Sequence, residues 1–183
     1  MHVFQLGKTD TWFTYTAMLT RQRPDLQIGF VGKIDSDNFI RWPVFLKWFS
    51  AHRSNIILQP FIYGGYAIHK KVCSGVAYGR ACAKKEFIAE LFAAGAMAYM
   101  STPLAQHVFM DGTSLQRKKE VWIVGEDMQL ANMAYSDPKI TPFVLNHRYG
   151  EGGYEISVHC VNNPVNYRDW YYKLYPEQKQ QKR

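Results

Sequence analysis

Three stretches of this sequence carry residue types whose spacing could do chemistry. The first is Val72-Cys73-Ser74-Gly75-Val76-Ala77-Tyr78-Gly79-Arg80-Ala81-Cys82, between the β-prone Tyr66-Ala67-Ile68 and an alanine-rich run. A turn of small residues that opens a helix exposes amides with no intrahelical partners. Together with the helix dipole, those amides form an anion site suited to a pyrophosphate. The second stretch runs from His147 to Cys160, where His147 and His159 flank the glycine-rich Tyr149-Gly150-Glu151-Gly152-Gly153. An antiparallel hairpin would bring the two imidazoles near one another. Adjacent residues of a strand face opposite ways, however, so His159 and Cys160 cannot both reach one ion. No metal is expected there, and a Cys/His nucleophile lacks a third, orienting group. The third stretch is Gly7-Lys8-Thr9, which has the look of the end of a phosphate loop. Such a loop needs an earlier glycine, and only Met1-His2-Val3 stand near that position, so a turn followed by a helix cap accounts for these residues.

Around residues 66–112 the chain resembles the GNAT superfamily of N-acyltransferases. Ser74-Gly75-Val76-Ala77-Tyr78-Gly79 is similar to that family's Arg/Gln-x-x-Gly-x-Gly/Ala pyrophosphate loop, and Arg80 to Gly95 matches its helix in length. Gly95-Ala96-Met97-Ala98-Tyr99-Met100 looks like the following strand, and Gln27-Ile28-Gly29-Phe30-Val31-Gly32 like a central one. Thr102-Pro103-Leu104-Ala105-Gln106-His107-Val108-Phe109 resembles the family's Asn-x-x-Ala-x-x-x-Tyr helix. The resemblance implies a GNAT-like fold that binds acetyl-CoA through Ser74, Gly75, Val76, Ala77, Tyr78, Gly79 and Arg80. It also implies transfer of an acyl group to an amine deprotonated by a base; Glu151, Glu155 and His147 are the candidates, and no motif fixes one of them. The chain departs from the family pattern at Ser74, at Ala77 and at Phe109, which stands where many members carry a tyrosine acid. Without that hydroxyl, protonation of the leaving thiolate has no assigned donor, so the implied function is acyl transfer, retained or lost.

A second reading competes with it. Twenty-two Lys and Arg against 15 Asp and Glu give a formal charge of +7, and 15% of the residues are aromatic. Positive charge draws phosphates, nucleic acids and acidic proteins, and aromatic side chains beside Arg can stack bases. On this reading the chain is a non-catalytic basic module for nucleic acid or an acidic protein partner, like many small phage or plasmid accessory proteins.

These residues must be positioned by elements that the pattern predicts in outline. Val3 to Leu6, Leu26 to Ile34, Ala96 to Met100 and Val121 to Val124 read as strands. Trp12 to Leu19, capped by Thr9 or Asp10, reads as a helix ended before Pro24. Trp42, Phe45, Leu46 and Phe49 recur at i, i+3, i+4 and i+7, a helical stripe expected to face the core, with Pro43 in the first turn. Asn55 to Ile68 reads as a strand or hairpin interrupted at Pro60 and Gly64-Gly65. Tyr78 to Met97 is the strongest helix signal by propensity. Pro103 to Phe109 and Met128 to Tyr135 are shorter helices. Phe143 to Arg148 and Tyr154 to Val161 form the predicted hairpin, and Tyr167 to Tyr175 closes the chain as a docking helix.

Strands interleaved with helices, and late strands that look antiparallel, predict an α/β fold of the α+β kind: a mixed, mostly antiparallel sheet with helices on its faces. Residues 1–175 make one domain, long enough to bury a core without disulfides, and 176–183 a polar basic tail. The three cysteines, Cys73, Cys82 and Cys160, have no C-x-x-C spacing and are expected to be reduced. No apolar run approaches the ~18 residues that span a bilayer, and the start lacks the marks of a signal peptide. No membrane partner is expected, and the cytoplasm is the expected location.

Overall fold

The structure is a computed structural model that describes residues 8–36, 38–66, 68–70, 89, 91–93, 97–110, 126–147, 156–159, 169 and 171–173. Helix α1, Lys8–Gln22, buries Phe13 and Ala17, one turn apart. The Thr16 and Thr20 hydroxyls on the same face donate to the carbonyls of Trp12 and Ala17, both at 2.9 Å, so neither is buried unsatisfied. Thr9 and Asp10 lie within the helix, Lys8–Gln22, rather than at a cap. Pro24 cannot continue it. A short 3-10 turn, Pro24–Leu26, and Gln27 in the left-handed region (φ 49°) redirect the chain. Strand β1 therefore covers only Phe30–Ile34 of the stretch expected from Leu26.

The remaining elements are β2 (Asn38–Ile40), α2 (Trp42–Ala51), α3 (Arg53–Ile57), β3 (Ile62–Gly65), β4 (Ile68–Lys70), β5 (Leu91–Ala93), β6 (Met97–Ser101), α4 (Thr102–Met110), α5 (Glu126–Ala134), β7 (Phe143–Asn146) and β8 (Ser157–His159). Four strands form the main sheet in the order β1-β6-β3-β7. The first two pairings are antiparallel and the last is parallel. Two antiparallel ribbons, β2 with β8 and β4 with β5, complete the strand pairing among the described residues. The architecture is the expected one: mixed, mostly antiparallel, with helices on both faces.

Period-two alternation sorts the strand side chains between two cores that share the sheet. On one face Val31, Tyr63, Ala98 and Met100 pack with Phe13 of α1 and Leu104, Val108 and Phe109 of α4. Phe13 stacks on Phe109 with ring centres 5.5 Å apart. On the other face Ile62, Met97, Tyr99 and Leu145 pack with Trp48 of α2 and Ile56 of α3. Every residue of β6 is buried, as befits a strand covered on both sides. Its last residue, Ser101, caps α4: its Oγ accepts from the Leu104 amide at 3.4 Å and donates to the Pro60 carbonyl at 2.7 Å.

Several expectations are corrected by tertiary contacts. Residues 91–93 lie in a strand, not in the helix predicted over Tyr78 to Met97, because β5 pairs with β4 and the Ala93 amide donates to the buried Tyr63 hydroxyl at 3.0 Å. Local propensity yields to that pairing. Gly64-Gly65 does not interrupt β3. Both sit inside it, where the sheet needs bare backbone: a Cβ on Gly64 would overlap the Tyr99 ring, and one on Gly65 would meet the Met97 carbonyl at 2.5 Å. Residues 55–57, the start of the stretch read as β, are helical and belong to α3. The hairpin of 143–148 with 154–161 does not form among the described residues. Instead β7 pairs in parallel with β3, which buries Leu145, and β8 pairs with β2. The strand expected at 3–6 and the one at 121–124 lie outside the described residues, as does the tail. Asp169 and residues 171–173 are helical, and Tyr171 meets Phe39 edge to face at 6.4 Å.

Candidate functional site

The loop expected to hold a pyrophosphate, Ser74 to Arg80, lies outside the described residues, and so do Glu151 and Glu155. Of the residues expected to act as a base, His147 is described. It follows β7, whose parallel register with β3 carries it inward, and its amide donates to the Gly65 carbonyl at 3.4 Å. His147 is fully buried, and neither ring nitrogen has a hydrogen-bond partner. Its ring stacks on Tyr99, with centres 5.4 Å apart, and meets the edges or faces of Phe45 at 5.4 Å and Trp48 at 5.8 Å. Desolvation by these rings pushes its pKa down from 6.5 to about 4, so it stands neutral at pH 7. The Tyr99 hydroxyl is also buried without a partner, and burial pushes its pKa up. Closed in this way, the imidazole stands neutral at pH 7 and out of contact with solvent.

Gly32 and Gly64 explain how Tyr99 can lie there. Both pair with Tyr99 across β6, one from each side. The phenol ring covers the backbone that Gly64 leaves bare, while the Tyr99 Cβ and the Ala98 carbonyl lie against Gly32. His147 then covers the phenol. Phe109, at the position where the resemblance would look for a tyrosine acid, is a core residue stacked on Phe13. His147 and His159 fall in different sheets rather than facing one another across a hairpin. Among the described residues no group of three or more His, Cys, Asp or Glu could hold a metal ion.

The helix stripe on α2 proves to be rotated from its expected phase. Trp48 is the buried residue, with Val44, Phe45 and Phe49 half-buried beside it, while Trp42 is 52% exposed and Leu46 60%. The same exposure continues through α3, where Ile57 is 67% exposed and the next residue, Leu58, 76%. Lys47 and Arg53 are exposed in the same two helices. The rings of α2 form a ladder into the core: Trp42 meets Phe45 edge to face at 5.9 Å, Phe45 stacks on Trp48 at 6.4 Å, and Trp48 stacks on His52 at 4.3 Å. The outermost rung therefore has a fixed base.

These helices lie in an uneven part of the charge distribution. Between residues 38 and 85 there are eight Lys and Arg and no Asp or Glu, leaving 14 basic and all 15 acidic residues, a net −1, for the rest of the chain. The whole excess of positive charge belongs to this segment. That block was readable in the sequence, as a gap in the acidic residues, and it is the signal that total charge conceals. A second pair not foreseen is His107 Nε2 with Asp137 Oδ2 at 3.0 Å, which ties α4 to the segment after α5.

Neither a protein-family model nor a curated protein matches the chain. Among the described residues no helix is long and apolar enough to cross a membrane.

Proposed function

We propose that this protein is a non-catalytic basic module that binds nucleic acid through the segment containing α2 and α3. The observation that carries this reading is the coincidence of the all-basic block, residues 38–85, with exposed aromatic and aliphatic side chains on two consecutive helices. A solvated helix ordinarily shows water its polar face. Here the exposed face offers Trp42 and Leu46 beside Lys47, and Ile57 one turn after Arg53. Phosphates answer the charge, and bases or sugars answer the apolar side chains.

Acyl transfer is a second reading, favoured by one observation: strand β6 is followed directly by helix α4, the order that the resemblance implies beyond its pyrophosphate loop. On that reading acetyl-CoA would bind the amides of residues 74–80, and an amine of unknown identity would be the acceptor. Titration calorimetry with acetyl-CoA, run beside fluorescence anisotropy with labelled DNA and RNA oligonucleotides, separates the two. The binding-module reading expects oligonucleotide binding that weakens steeply with salt, and no heat from acetyl-CoA at millimolar concentration. Saturable acetyl-CoA binding without oligonucleotide binding at low salt would reverse the order of the two readings.

A further inference from the structure

Resting on the nucleic-acid reading, we infer that the ligand is single-stranded, and that Trp42 is a stacking platform for one unpaired base, flanked by phosphate contacts from Lys47 and Arg53. Three features of the surface point to a single strand rather than a duplex. Its exposed side chains Trp42 and Leu46 lie one helical turn apart and are apolar or aromatic. Apart from the indole N–H they have no donors or acceptors with which to read base edges in a groove, whereas an unstacked base offers its π-face to any ring. The indole is also held in advance. It is braced by Phe45, which is stacked on the buried Trp48 and packed against Tyr99 and His147. A platform fixed before binding loses little rotamer freedom on binding. The charge is complementary as well: no carboxylate occurs between residues 38 and 85 to repel a phosphodiester backbone.

A second exposed aromatic pair among the described residues, Trp12 and Tyr15 on α1, lacks these properties. Asp10 lies in its first turn, and the Trp12 indole already donates to the Gly32 carbonyl at 2.7 Å.

The test is a set of anisotropy titrations on the full chain with single-stranded and duplex oligonucleotides of equal length. Trp42→Ala, Trp42→Phe and the pair Lys47→Gln/Arg53→Gln are compared with wild type, each checked for native circular dichroism. The expected result is tighter binding of single strands. Trp42→Ala should weaken it about tenfold or more, and Trp42→Phe should retain part of the affinity. Quenching of tryptophan emission by the single strand should diminish in Trp42→Phe, a readout that a purely structural role would leave unchanged. The lysine–arginine double variant should flatten the salt dependence while keeping the preference for single strands. Duplex binding as tight as single-strand binding, or a folded Trp42→Ala with wild-type affinity, would overturn the inference while leaving the nucleic-acid reading in place. Absence of binding to every oligonucleotide at low salt would overturn the nucleic-acid reading itself. Sedimentation that shows self-association lost in Trp42→Ala would overturn the inference in favour of a second copy of this chain on the same surface.

Discussion

His147 is the residue whose chemistry the fold changes most. In an unfolded chain its imidazole titrates near 6.5, and in the aromatic enclosure near 4. Between those values the unfolded state binds more protons than the folded one. Stability is therefore full above about pH 6.5 and falls as pH drops toward 4. The separation corresponds to about 3 kcal/mol at its limit, at ~1.4 kcal/mol per pKa unit. Urea unfolding at pH 7 and at pH 4.5 should show this loss in wild type and a smaller one in His147→Phe. The variant should also hold its stability at pH 7, because it replaces two unpartnered nitrogens with an aromatic face among aromatic rings. An equal pH dependence in both proteins would mean that other groups govern the acid limb. The burial that shifts this pKa is the enclosure of the imidazole by Tyr99, Phe45 and Trp48.

At the scale of elements, α2 shows what periodicity can and cannot reveal. Trp42, Phe45, Leu46 and Phe49 signal a helix correctly, and the helix occupies Trp42–Ala51. Seven of its ten residues are apolar, so several stripes fit the 3.6-residue period, and only packing against Tyr99 and Ile62 decides that Trp48 and Phe45 turn inward. Phe45→Ala should accordingly cost about 3 kcal/mol, the low end for a core phenylalanine because this one is half-buried. Leu46→Ala, on the exposed side, should change stability by less than about 0.5 kcal/mol. Thermal or denaturant melts of the two variants check the phase; similar large losses from both would restore the original stripe. Strong local signals of this kind made α1, α2, β6, α4 and α5 legible in the sequence, and with them the mixed, mostly antiparallel class. Long-range pairing was not legible. Leu91–Ala93 has a helical neighbourhood in sequence but meets β4, and Phe143–Asn146 has a hairpin partner in sequence but meets β3. In each case the partner lies far along the chain, and no residue pattern near the strand names it. The candidate surface was half legible: its aromatic residues were visible, but exposure rather than burial of Trp42 and Leu46 is a property of the packed molecule.

For the whole molecule, the distribution of charge matters more than its total. A formal +7 is compatible with many partners, whereas a block of eight basic residues without an acidic one, against a remainder of net −1, concentrates the positive charge in one part of the chain, where the proposed polyanion would be drawn. Each neutralised phosphate of a single strand releases counterions and contributes about −0.7 to the slope of log affinity against log salt. Lys47 and Arg53 alone would give a slope of about −1.4, and engagement of the full block a steeper one. The most direct test is the affinity of the full chain for a labelled single-stranded oligonucleotide measured at about 50 mM and about 200 mM salt. Binding at the lower concentration and a loss of about tenfold or more at the higher are expected. Binding that is absent at the lower concentration, or that does not change between the two, would contradict the nucleic-acid reading.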